Sequence, residues 1–184
     1  MRKYPLPWVP VTCAAMLSAA ALLACSRSSP PAPAPQADAT SAADTSAVDV
    51  YSQSFSDADG KLQPLSQWKG KLLVLNFWAT WCAPCVAEMP DLEKAQQEFT
   101  DRNVVIVGVG TEDASRVRGF RDQHALRLIL LAGGYDALGL ARGLGNTQGV
   151  LPYTVLVSAN GKVLRTQTGP LQPGQLRSWL DAAR

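Results

Sequence analysis

The 184-residue sequence contains little histidine, little cysteine and no excess of charge. It has one histidine, His124, and four cysteines, of which only Cys82 and Cys85 lie close together. A structural zinc site needs about four nitrogen or sulfur ligands, so we expect no metal site. Of the 17 Lys and Arg side chains, Arg2 and Lys3 precede an apolar run; subtracting them leaves 15, equal to the 15 Asp and Glu. A neutral remainder gives no electrostatic reason to expect nucleic-acid binding.

The longest apolar run, residues 11–24, is also too short to span a bilayer, which takes about 20 apolar residues. Its basic start and small residues near its end are typical of a secretory signal. The run ends in Leu-Leu-Ala-Cys at Cys25, which resembles the lipobox of bacterial lipoproteins. That resemblance implies a signal peptide over residues 1–24 and a lipid on the Cys25 sulfur. An ordinary cleaved signal with an incidental cysteine is the alternative.

Residues 25–48 differ in composition from the rest of the chain. They consist mainly of Ala, Pro, Ser, Thr and Asp, with alternating prolines over 30–35. Such a segment has little apolar surface to bury, and its prolines favour an extended chain. We therefore predict a linker between the lipidated cysteine and a domain over residues 49–184, which are enough for one core.

Patterns within 49–184 predict an α/β domain. The nearly continuous apolar segment 72–77 is typical of a central strand, and apolar residues at helical spacing over 86–99 predict a helix after it. A second buried strand over 104–109 completes a parallel unit with a right-handed crossover. Turn signals at 57–60 and 158–161 predict two hairpins. A short strand is predicted over 128–131, strands over 153–157 and 162–168, and helices over 113–124, 135–142 and 176–183.

The chemistry is carried by Trp81-Cys82-Ala83-Pro84-Cys85, between the first buried strand and its helix. Only a thiolate attacks a disulfide, and the unpaired N–H groups and dipole of a helix N-terminus favour a thiolate at Cys82. We predict that Cys82 is the exposed nucleophile and that Cys85, about one turn further, resolves the mixed disulfide. An inert stabilising disulfide is disfavoured, because so small a loop constrains the unfolded chain little.

This motif resembles the active site of the TlpA/ResA/DsbE group of anchored bacterial thiol-disulfide oxidoreductases. The group also has a glutamate three residues after the second cysteine, here Glu88, and a Leu-Pro before a strand, here Leu151-Pro152. The resemblance implies a thioredoxin fold: a central mixed sheet flanked by helices, with an N-terminal strand extension. It implies a cis Pro152 that contacts substrate with Leu151 and Trp81. Glu88 is either a buried proton shuttle or a solvated helix residue.

The same resemblance implies a reductase of protein disulfides, in cytochrome c maturation or copper-site assembly, whose only redox group is the Cys82–Cys85 disulfide. It implies a monomer on the periplasmic side, reduced by a membrane donor of the DsbD/CcdA type. Ser26 after the lipidated cysteine favours the outer membrane over the inner. Two alternatives are open. One is a peroxidase; peroxidases of this fold have a proline seven residues and a threonine three residues before the reactive cysteine, and those positions are Leu75 and Ala79 here. The other is a non-enzymatic copper-binding module, which would ordinarily need an added histidine.

Overall fold

The computed structural model describes residues 48–183. The predicted signal peptide, Cys25 and all but the last residue of the predicted linker lie outside the described residues. Within 48–183, no helix combines the length and the apolar character needed to cross a membrane.

Seven strands form one sheet in this part of the chain. They lie at nearly the bounds that apolar runs and turn signals predicted. In chain order they are β1 Ser54–Asp57, β2 Leu62–Pro64, β3 Leu72–Trp78, β4 Val104–Gly110, β5 Ile129–Ala132, β6 Tyr153–Val157 and β7 Val163–Thr168.

The sheet is mixed, with strand order β2-β1-β5-β4-β3-β6-β7. β3, β4 and β5 run parallel to one another, and all the other neighbouring strands are antiparallel. The hairpin of β1 and β2 joins the edge of β5 and is the N-terminal strand extension. This arrangement confirms the predicted thioredoxin fold.

Within residues 48–183, four helices flank the sheet, and three short 3-10 turns connect its elements. The first helix begins within the cysteine motif, at Ala83. The second is capped by Asp113, whose Oδ1 accepts hydrogen bonds from Ser115 N and Arg116 N. The helices are α1 Ala83–Phe99, α2 Ala114–Gln123, α3 Gly134–Gly143 and α4 Gln175–Ala182, and the 3-10 turns are Val50–Ser52, Leu65–Trp68 and Thr100–Arg102.

The buried apolar side chains form two hydrophobic clusters. β3 contributes to both of them, because successive side chains of a strand point to opposite faces of the sheet. Leu73, Leu75 and Phe77 belong to one cluster, whereas Val74 and Trp78 belong to the other, which also contains both cysteines. Six of the seven residues of β3 are buried, which explains the continuous apolar run in the sequence. Asn76, the polar residue between Leu75 and Phe77, therefore lies on the face of the sheet against which α1 packs.

Candidate active site

Cys82 and Cys85 form a disulfide at the N-terminus of α1, with their Cα atoms 5.3 Å apart. Cys82 is the N-cap of the helix, and its Sγ accepts a hydrogen bond of 3.3 Å from Cys85 N. Pro84 occupies the first turn, where a missing N–H breaks no hydrogen bond. The helix terminus is thus directed at the Cys82 sulfur, the arrangement that favours a thiolate there.

The two sulfurs differ in accessibility. Cys82 is 6% exposed and Cys85 is fully buried. The prediction of an exposed nucleophile is therefore wrong for the oxidised form, because Cys82 packs within a hydrophobic cluster and its sulfur is bonded to Cys85. The order of access is nevertheless the predicted one, while the order of attack stays a prediction.

The loop before Cys82 is held by Glu112, a residue the sequence reasoning missed. The Glu112 carboxylate accepts hydrogen bonds from Thr80 N at 2.6 Å and from Thr80 Oγ1 at 2.9 Å. Cys82 N also donates to Ala79 O at 3.1 Å. Thr80 and Glu112 follow β3 and β4, which are parallel, so both residues emerge at the same edge of the sheet. The predicted parallel pairing of β3 and β4 is the feature of the sequence that could have indicated the contact between Thr80 and Glu112.

The two tryptophans of the motif region occupy different environments. Trp81 is 72% exposed beside the disulfide, so its indole is available to a partner protein. Trp78 is fully buried, and its ring lies 4.8 Å from that of Phe120. Trp78 is therefore a core residue, while contact of Trp81 with substrate stays a prediction.

Glu88 is a buried carboxylate, 8% exposed, one helical turn after Cys85. Its Oε1 accepts a hydrogen bond of 2.7 Å from Asn76 Nδ2, and its Oε2 accepts one of 3.2 Å from Leu171 N. Burial raises the pKa of Glu88 above its ordinary value, the two hydrogen bonds oppose that rise, and the charge of Asp91 adds to it. The alternative of a solvated helix residue is therefore wrong. The proton-shuttle role stays a prediction.

Asn76 connects Glu88 to the centre of the sheet. This amide is fully buried on β3, and its Nδ2 also donates to Thr154 Oγ1 on β6 at 3.1 Å. Its Oδ1 has no hydrogen-bond partner within residues 48–183. Asn76 thus holds the Glu88 carboxylate in place and links it to β6.

Leu151 and Pro152 lie where β6 begins, and the peptide bond between them is cis, as the resemblance implied. Tyr153 pairs with Phe77, so Pro152 lies beside the end of β3 from which the cysteine loop departs. Pro152 O accepts a hydrogen bond of 2.9 Å from Gly169 N. The fold thus brings Pro152 to the end of β3 that precedes the cysteine loop, while its contact with substrate stays a prediction.

Within the described residues, no three His, Cys, Asp or Glu side chains are grouped so that they could hold a metal ion. The chemical group of the site is the disulfide itself. The arrangement can exchange electrons between the cysteine pair and another thiol or disulfide, with a buried carboxyl group nearby to move protons.

Comparison with known proteins agrees with this chemistry. The Redoxin family matches residues 33–183. Thiol-disulfide oxidoreductase ResA of Geobacillus thermodenitrificans is 31% identical over 130 residues, which cover 70% of this chain and 72% of that protein. Thioredoxin-like protein YneN of Bacillus subtilis is 31% identical over 134 residues, 70% of this chain and 74% of YneN.

A solved structure shows the same fold at similar coverage. The crystal structure of a thiol:disulfide interchange protein of the thioredoxin family from Chlorobium tepidum superposes with a TM-score of 0.61 at 25% identity, covering 71% of this chain and 92% of that one. The fold, the helix-capping disulfide and these similarities define a thioredoxin-fold thiol-disulfide oxidoreductase. The chain belongs to the Redoxin family, in its TlpA/ResA/DsbE-like group.

Proposed function

We propose that the chain is a reductase of protein disulfides, held on the periplasmic side of a bacterial membrane by a lipid on Cys25. The proposed direction of electron transfer, reduction of the substrate, rests on one observation. Cys82 is the N-cap of α1, and only Ala83 and Pro84 lie between the cysteines. No cation in the motif adds to the helix terminus in stabilising the thiolate. A weakly stabilised reduced form makes the couple more reducing.

In the reduced protein, the Cys82 thiolate attacks one sulfur of a substrate disulfide. The substrate S–S bond breaks, a mixed disulfide forms with Cys82, and the released substrate thiolate takes up a proton. Cys85 then attacks the Cys82 sulfur, which regenerates the observed Cys82–Cys85 disulfide and releases the second substrate thiolate. Two electrons have passed from the protein to the substrate.

Before Cys85 can attack, its thiol must lose a proton, and Glu88 is the proposed acceptor. The two side chains are neighbours on one face of α1, since they are three residues apart. Burial raises the pKa of Glu88, which suits it to exchange protons nearer neutral pH. Asn76 and Leu171 hold its two oxygens in place.

Each cycle leaves the protein oxidised, so two electrons must be supplied from outside. We propose a membrane donor of the DsbD/CcdA type, because an oxidising compartment assures no soluble reductant. The proposed substrates are apocytochrome c or a copper-assembly protein, on the resemblance to the TlpA/ResA/DsbE group. The chain would act as a monomer, and Ser26 favours anchoring in the outer membrane.

The midpoint potential of the Cys82–Cys85 pair tests the direction. It is measured by equilibrating the domain with dithiothreitol or glutathione buffers and trapping free thiols. We expect a value below about −200 mV, towards the thioredoxin end of the range. A value near about −120 mV, typical of a strong oxidant, would overturn the reductase proposal and leave the fold and the cysteine pair unaffected.

A further inference from the structure

The loop between α3 and β6 contains a buried amide that the redox chemistry does not use. Asn146 is 3% exposed. Its Nδ2 donates to Val150 O at 2.9 Å, and its Oδ1 accepts from Val150 N at 3.0 Å. A single side chain thus makes with Val150 the pair of hydrogen bonds that a residue of a neighbouring antiparallel strand would make.

Asn146 is itself fixed to the body of the domain. Its backbone N donates to Ala141 O in the last turn of α3 at 2.9 Å, and its carbonyl oxygen accepts from Gly149 N at 3.1 Å. Gly149 has a φ of 65°, a conformation that glycine adopts without cost. Because both the backbone and the side chain of Asn146 are held, the position of Val150 is determined by α3.

Fixing Val150 also affects the main chain of the next residue, Leu151. Residues that precede a proline are restricted to extended conformations. The Asn146 side chain occupies both main-chain groups of Val150, so the adjoining main chain of Leu151 is the segment that stays unpaired before Pro152. Within residues 48–183 the Leu151 backbone makes no hydrogen bond, and the preceding residue, Val150, exposes its apolar side chain.

We infer that Asn146 is a positioning residue, which presents the main chain of Leu151 for pairing with an extended segment of the substrate protein. The inference rests on the proposed function, since it supplies the substrate contact of that same site. Asn146 fixes Val150 as a neighbouring strand would, and the substrate pairs with the adjoining main chain of Leu151. Its loss loosens the docking of a polypeptide and leaves the thiol chemistry intact.

The test compares Asn146→Asp and Asn146→Ala with Thr147→Ala, a matched control at the exposed neighbouring position whose side chain makes no hydrogen bond in the described structure. The aspartate keeps an acceptor for Val150 N and loses the donor to Val150 O. KM and kcat are measured with insulin as the protein disulfide. In parallel, the reduced cysteines are reacted with the small disulfide 5,5′-dithiobis(2-nitrobenzoate), which needs no strand pairing.

We expect both Asn146 variants to raise KM for insulin about tenfold, the effect of one lost hydrogen bond, while Thr147→Ala changes nothing. The rate with the small disulfide and the midpoint potential should stay at wild-type values. An unchanged KM in the folded aspartate variant, or an equal loss with both disulfides, would overturn the inference. If the wild-type chain proves to oxidise rather than reduce, the reductase proposal fails, and the same KM comparison in the oxidising direction still tests Asn146.

Discussion

Reduction of the Cys82–Cys85 disulfide should lower the free energy of unfolding, by an amount that the size of the loop determines. The two cysteines are three residues apart, so the disulfide closes a loop of residues 82–85 only. For so short a loop, the lost entropy of the unfolded chain corresponds to about 2 kcal/mol of stabilisation of the oxidised form. The oxidised protein is the more stable one by this contribution.

The reduced form recovers part of this difference. Its Cys82 thiolate is the N-cap of α1, where it can accept the hydrogen bond from Cys85 N and interact with the helix dipole. A charge at such a position contributes about 1 kcal/mol or less. The oxidised form should therefore remain more stable by about 1–2 kcal/mol, equivalent to a potential about 20–40 mV more negative than that of the same pair in the unfolded chain.

Urea unfolding followed by tryptophan fluorescence measures this difference directly, with oxidised and dithiothreitol-reduced samples at the same neutral pH. The double variant Cys82→Ser, Cys85→Ser is the control for reductant effects, because it can form no disulfide in this motif. A reduced form more stable than the oxidised one, as in the strong oxidant DsbA, would refute the reasoning. It would mean that the thiolate is stabilised by more than the helix terminus.

Three further outcomes are expected. Cys85→Ser should trap mixed disulfides with substrates and Cys82→Ser almost none; equal trapping would contradict the order of attack. Because burial raises the pKa of Glu88 above its ordinary value, the wild type should lose stability as pH rises through the folded-state pKa. Glu88→Gln should not show this loss, and Asp101→Asn, at an exposed carboxylate, is the control. Cys25→Ser should leave the membrane fraction or remain unprocessed, whereas Cys13→Ser should not.

The elements that local pattern predicts well are those whose burial is uniform along the chain. The run over β3 is apolar throughout, because both faces of a central strand are covered. The helix after the cysteines and the two hairpins depend on spacing and on turn residues that lie next to one another in sequence. These local patterns predict one parallel pair and two hairpins, but the order of the seven strands in the sheet is set by tertiary pairing.

The supporting contacts of the site were not predictable in this way. Glu112 bonds to Thr80 across 32 positions of the sequence. Each is an ordinary polar residue in its own neighbourhood, and only the parallel pairing of β3 and β4 brings them together. In the sequence, Asn146 has the character of a turn residue between Gly145 and Gly149. Nothing in the sequence around it indicates that its side chain is buried.

The sequence by itself determined the reactive pair, since Cys82, Cys85 and the helix that begins between them depend on spacing alone. It left the state of Glu88 open between a buried and a solvated carboxyl group. That state was decided by tertiary structure, because Asn76 and Leu171, at distances of 12 and 83 residues along the chain, supply the donors and α1 packs the group away from water. A pKa depends on solvation and on nearby donors in space, and the linear order of residues specifies neither.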